Sequence, residues 1–218
     1  MNVRLLQLAS PSLPVGAYSY SQGLESAVEA GVVRDAESAA SWIGNVLDLA
    51  IASMEAPLVV RLVPAWERCD SGAVARWNDE ALASRETAEL RAETVQMGYS
   101  LAKLLRDLGV STGALDAMEE VAYPTAFAFA VAAWKLPPRD ALETYLFAWI
   151  ENQVLAAVKC VPLGQTDGQR LMLALGDRIA PIVEAAFSME DGDLANFAPG
   201  LAILSARHET QYSRLFRS

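Results

Sequence analysis

Side chains able to carry chemistry are sparse in this sequence, and their spacing fits no familiar reaction. His208 is the single histidine, so it alone can serve as an imidazole base, and it lies in the C-terminal stretch. Ser21 in Tyr20-Ser21-Gln22-Gly23 comes close to a nucleophile elbow, but Ser19 stands where that turn needs its first glycine. The run Gly164-Gln165-Thr166-Asp167-Gly168-Gln169 has the glycines of a phosphate loop and lacks its Lys-Ser/Thr ending. Thr166 and Gln169 have instead the spacing of a capping box, which predicts a helix start there. Metal ligation fares no better: Cys69, Cys160 and His208 are far apart, and His208-Glu209 is not followed by the second histidine of a zincin. Only two-fold symmetry, bringing together two copies of Cys160 or His208, would gather ligands. Glu119 and Glu120 are adjacent and read as a solvated helix end.

Composition narrows the class of protein. At 218 residues the chain is one domain or two closely packed ones, long enough to bury a core without disulfide or metal staples. Its formal charge of −10, from 27 acidic and 17 basic residues, argues against nucleic acid or an anionic membrane surface as the main partner. Mean hydropathy is +0.21, yet the apolar stretch from Val121 to Trp134 contains Pro124 and falls short of the ~20 residues a bilayer crossing needs. Two cysteines without CxxC spacing and no signal peptide predict a reducing, cytoplasmic setting.

The elements that must position these residues are helices. Alanine fills 38 positions, apolar residues recur at helical spacing, and no sustained period-two run of β-branched residues occurs. The expected fold is all-α: a single compact multi-helix domain over 1–218, forming a two-fold homodimer through its apolar faces. Asp35 is the expected cap of a helix whose stripe runs through Ala39, Trp42, Ile43, Val46, Leu47 and Ala50. A second helix is predicted from Arg85 to Leu108, with Leu90, Met97, Leu101, Leu104, Leu105 and Leu108 together on one face, Arg91, Lys103, Arg106 and several glutamates on the other, and Gly109 as its stop. Pro137 and Pro138 open a long helix that ends near Cys160. The helix after Thr166 is expected to end or kink at Pro181. In the last stretch Leu201, Leu204, His208, Tyr212 and Leu215 fall on one side, predicting that residues 201–218 are a partner-docking segment, mobile or loosely packed without its groove. By contrast, Ser10 to Gly16, with two prolines, predicts an extended, shaped turn.

Three segments carry a resemblance. Pro11 to Glu25 reads PSLPVGAYSYSQGLE, Lys159 to Arg170 reads KCVPLGQTDGQR, and Arg207 to Ser218 reads RHETQYSRLFRS. Together, in this order and over the whole length, they resemble UreF, a family of urease accessory proteins. Serine stands in many relatives where this chain has Ala17. The resemblance implies a non-catalytic accessory or scaffold protein that dimerises, binds UreD (UreH in some systems) and recruits the GTPase UreG. It would thereby couple GTP hydrolysis to nickel insertion into apo-urease. It implies no cofactor bound by the chain alone, with nickel handled by the complex and GTP held by UreG. It also places Tyr18, Glu25, Lys159, Arg207, Tyr212 and Arg214 in segments that bind partners or shape the surface regulating the GTPase. Should the tail close over the start motif, Arg214 is expected to meet the Tyr18 phenol or the carbonyls of Pro14 to Gly16. The alternative is an all-α enzyme acting on a small apolar substrate. It would want an Asp-Asp-x-x-Asp magnesium cluster or a paired acid and base, and the sequence has neither.

Overall fold

The computed structural model describes residues 2–218, and every regular element among them is helical. In chain order the helices are α1 (Val3–Ala9), α2 (Leu24–Glu29), α3 (Ala36–Val46), α4 (Ala56–Glu67), α5 (Ser71–Ala83) and α6 (Ala88–Asp107). They continue as α7 (Gly113–Asp116), α8 (Tyr123–Ala133), α9 (Pro138–Cys160), α10 (Gln165–Gly176), α11 (Ile179–Ser188) and α12 (Pro199–His208). Among the described residues no helix is long and apolar enough to cross a membrane.

Local chemistry sets most boundaries as expected. Asp35 caps α3, its carboxylate accepting the Ser38 N–H at 2.8 Å while the Ser38 hydroxyl accepts the Asp35 N–H. Thr87 caps α6 through the Leu90 N–H, and Gly109, at φ +81°, takes the left-handed turn beyond its end. Pro138 occupies the first turn of α9, where a missing N–H costs nothing.

α8 is the centre of the molecule. Alanines alternate along it with Phe127, Phe129 and Val131, and α4, α5 and α6 pack around it. Small residues let the backbones approach: a Cβ on Gly98 of α6 would run into the Val121 carbonyl. The entry to α8 is pinned by side chains, since Asn78 accepts the Ala122 N–H and donates to the Glu120 carbonyl, while Thr94 accepts the Tyr123 N–H. The buried apolar residues make one continuous cluster from Leu8 to Phe216.

Between α3 and α4, Leu47–Glu55 forms a π-helical segment. Its Leu49 and Ser53 carbonyls accept the N–H groups of Phe197 and Ala195, so the loop after α11 closes over it. At its end Glu55 points inward and is 5% exposed.

Several expectations are corrected. α10 already starts at Gln165, with Gly164 as its cap, because the Gly164 carbonyl takes the Asp167 and Gly168 N–H groups. Thr166 is therefore an exposed residue of the first turn and not a cap. Pro181 ends nothing: the chain turns at Asp177–Arg178 and Pro181 sits in the first turn of α11, where proline is tolerated. Glu119 and Glu120 lie in a bend before α8, and Glu120 pairs with Arg91. Not all glutamates of α6 face outward, for Glu93 is 4% exposed. Helix α12 stops at His208, so Tyr212 and Leu215 do not continue its apolar face and are exposed.

Candidate functional site

The start motif is a bent turn that leaves its polar groups turned towards the tail. Gly16 and Gly23 take positive φ at +84° and +75°, and Gln22, at +51°, joins them to swing the chain into α2. Gly23 is also a close approach, where a Cβ would lie 3.1 Å from Leu201 of α12. The residues after His208 then fold back over this turn. Arg217 donates its N–H to the Ser19 carbonyl at 2.7 Å, and both the N–H and the hydroxyl of Ser21 donate to the Ser218 backbone oxygen at 2.6 Å. Phe216 and Ser218 are buried, so the tail is packed against the body and the expectation of a loose segment is corrected.

Two buried carboxylates hold this clasp. Glu25, in the first turn of α2, accepts the N–H groups of Leu215 at 2.7 Å and Phe216 at 2.9 Å, and faces the His208 Nε2 at 3.2 Å. The other ring nitrogen, Nδ1, lies 2.7 Å from Glu89, whose second oxygen accepts from Arg214 at 2.7 Å. Both ring nitrogens of His208 thus lie within hydrogen-bond distance of a carboxylate oxygen, linking Glu25, His208, Glu89 and Arg214 in one chain. Glu93, one turn further along α6, accepts the Ser218 hydroxyl at 2.8 Å and the Gln22 amide at 2.7 Å, and Gln22 in turn accepts the Trp149 indole N–H. Burial pushes the Glu93 carboxyl up to about 7, partly offset by its Gln22 and Ser218 hydrogen bonds and by Arg85.

The six residues expected to meet partners divide into three places. Glu25 and Arg214 meet through His208 and Glu89 inside the clasp. Lys159 lies over the rings of Tyr18 and Phe216, its ammonium 5.9 and 5.4 Å from their centres, on the side where α9 ends. Arg207 and Tyr212 border an open groove with Ser26, Glu29 and Gln211. Arg214 does not reach Tyr18 or the Pro14 to Gly16 turn: Glu89 and the Glu209 and Gln211 carbonyls engage it instead. Burial and the Glu151 charge raise the Tyr18 phenol above its ordinary range. Glu89, Glu93, Gln22 and Ser218 were not singled out from the sequence. One signal pointed to Glu93, which falls three residues after Leu90 and four before Met97, inside the apolar stripe of α6.

Other chemistry-bearing residues have structural explanations. Ser21 is buried and engaged with Ser218, and His208 is fully buried, so His208 cannot meet its copy in another subunit. Burial lifts the Cys160 thiol to about 11, and Cys69 and Cys160 are both unpaired. Among the described residues no three His, Cys, Asp or Glu side chains gather as a metal ligand set. Beneath the clasp a cavity of about 60 Å³ is lined by Gln22, Glu55, Arg85, Glu93, Tyr123 and Tyr145 among others. Inside it Arg85 donates to Glu55 at 2.6 Å and the Tyr145 hydroxyl donates to the same carboxylate.

Comparison with known proteins gives the family. The family model described as UreF matches residues 33–176. The urease accessory protein UreF of Azoarcus sp. (strain BH72) is 58% identical over 222 residues, covering 99% of this chain and 95% of its own. Those of Dechloromonas aromatica (strain RCB) and Methylobacillus flagellatus are 54% and 50% identical, covering 99% of this chain and 96% and 97% of theirs. The start motif and tail lie outside the matched family region but inside these full-length likenesses, and it is these two segments that fold against each other. On the matched domain and on likeness over nearly its whole length, the chain belongs to the UreF family of urease accessory proteins.

Proposed function

We propose that the chain acts as a non-catalytic scaffold in urease maturation, and that its clasp is the surface on which the other accessory proteins assemble. In this scheme it works as a cytoplasmic homodimer, binds UreD (UreH), recruits UreG, and lets GTP hydrolysis on UreG drive nickel delivery into apo-urease. GTP belongs to UreG and nickel to the complex; this chain supplies shape and charge. The observation that carries the proposal is the joining of two of the three motif segments into one surface. There the buried Glu25 orders a tail that displays Tyr212 and Leu215 outward, beside the exposed Arg207 at the end of α12. Exposed aromatic and arginine side chains on a backbone held by buried hydrogen bonds suit a binding hot spot.

The enclosed cavity beneath the clasp is a poor place for catalysis on a small apolar substrate. At about 60 Å³ it is several-fold below the ~300 Å³ at which ligand pockets begin, and its polar groups are largely paired with one another. The test is co-purification on tagged UreD from cells expressing the urease genes. The parent chain is expected to bring UreG with it and to support urease activity. A double substitution of Arg207 and Tyr212 to alanine is expected to fold normally and to lose one or both partners. If that variant recruits both and activates urease like the parent, the clasp surface is not the docking site.

A further inference from the structure

At Glu93 the start motif, the tail and the polar cavity meet, and it is a buried carboxylate with neutral hydrogen-bond partners. Its two oxygens accept from Gln22 of the turn and from Ser218 of the tail, while among the described residues no cation lies within ion-pair distance of it. The groups facing it from the surrounding elements are Arg85 ahead of α6, Glu55 at the end of the π-helical segment and Tyr20 in the turn. Glu89, one turn earlier on α6, is committed to His208 and Arg214. Arg85 is itself committed to Glu55, so the nearest positive charge is already answered. Ser218, 1% exposed, is the lid over this carboxyl, and lifting the tail lets water reach it.

From this geometry we infer that closure of the tail over the start motif is proton-linked. The closed clasp takes up a proton at Glu93 that the open clasp gives back to solvent, so mild acid tightens the tail and mild alkali loosens it.

The sign follows from the two states. In the closed clasp burial holds the Glu93 carboxyl at about 7, whereas a solvated glutamate titrates near ~4.3. The closed form therefore binds more protons between these values. Its advantage is full below the lower one, declines as pH rises, and is gone above the higher one. Between pH 6 and pH 8 the closed-to-open ratio falls about tenfold. Opening of the tail also releases the Leu215 and Phe216 N–H groups from Glu25, so the linkage acts on the same backbone that carries the exposed Tyr212 and Leu215.

The experiment uses the full chain without partners, so its outcome is independent of what the clasp binds. Hydrogen exchange of the Leu215 and Phe216 amides, corrected for the intrinsic pH dependence of exchange, gives the protection of the closed clasp from pH 5.5 to 8. The parent is expected to lose about tenfold in protection between pH 6 and 8. Glu93→Gln, which keeps the size and can accept from Gln22 while its amide N–H donates to the Ser218 hydroxyl, is expected to lose less than threefold and to be the better protected protein at pH 8. Flat protection in the parent, or an unchanged slope in Glu93→Gln, overturns the inference. Should Glu93→Gln fail to fold, the carbon-13 titration of the Glu93 side-chain carboxyl in the parent decides alone. A midpoint within one pH unit of 7 supports the linkage, and one at or below the ordinary glutamate range overturns it.

Discussion

Helix α8 and the residues from Glu209 to Ser218 are both pressed against the body of the molecule, yet opposite forces hold them. α8 is almost wholly apolar and is gripped on several sides by α4, α5 and α6, with alanines and Gly98 bringing backbones close enough for dense packing. The tail has no regular structure and buries one large side chain, Phe216. What keeps it in place is a set of hydrogen bonds to Glu25, Glu93, Ser19 and Ser21, several of them to charged acceptors. Apolar burial is non-directional and scales with area, so α8 can leave only when the whole core opens. Hydrogen bonds exchange readily for water, so a segment fastened by a few of them can open by itself. A scaffold that must be stable and still respond to partners gains from keeping these two kinds of attachment apart.

The largest effect is expected from the core. Phe127→Ala removes a fully buried ring that packs edge-on to Tyr145, with ring centres 5.0 Å apart. It should cost about 3–5 kcal/mol of global stability in urea unfolding. Tail protection in hydrogen exchange should change little until the whole molecule unfolds.

Glu25→Ala should do the reverse. It strands the Leu215 and Phe216 N–H groups and one side of His208, at about 2 kcal/mol, which is roughly thirtyfold in tail protection. The core melting transition is expected to move far less. If both transitions shift together, the clasp and the core are one cooperative unit and the contrast drawn above fails.

A smaller effect attends Arg214→Ala. Its guanidinium is one-third exposed, so loss of the Glu89 pair is worth about 1 kcal/mol or less. The measurable consequence is weaker UreG recruitment in pull-downs on tagged UreD. Recruitment equal to the parent would mark Arg214 as a brace for the clasp with no part in docking.

Smallest of all is Thr166→Ala, expected to stay within ~0.5 kcal/mol of the parent in thermal unfolding because the hydroxyl is not a helix cap. A loss nearer 1 kcal/mol would restore the capping box read from the sequence.

Much of this molecule was legible before any coordinates. The all-helical class, the Asp35 cap, the Gly109 stop and the Pro138 start follow from local propensity and the 3.6-residue period, and those rules need only neighbouring residues. The lack of a Walker lysine and of a zincin pair is likewise read from residue types and spacing. The family was legible too, from three motif segments taken together.

Tertiary structure decided the rest, because it depends on contacts between residues remote in sequence. Periodicity extended the apolar face of α12 through Tyr212 and Leu215. Glu25, 190 residues earlier, instead takes the Leu215 N–H and turns the tail aside. The same period sets Glu93 inside the apolar stripe of α6 yet names no partner for a buried carboxylate. Glu93 went inward because Gln22 and Ser218, 71 and 125 residues away, give it donors that a buried carboxylate requires. Arg214 found Glu89 and not Tyr18 for the same reason. A sequence pattern records which side chains prefer to leave water; whether a polar group can follow them depends on a partner that only the folded chain brings within 3 Å.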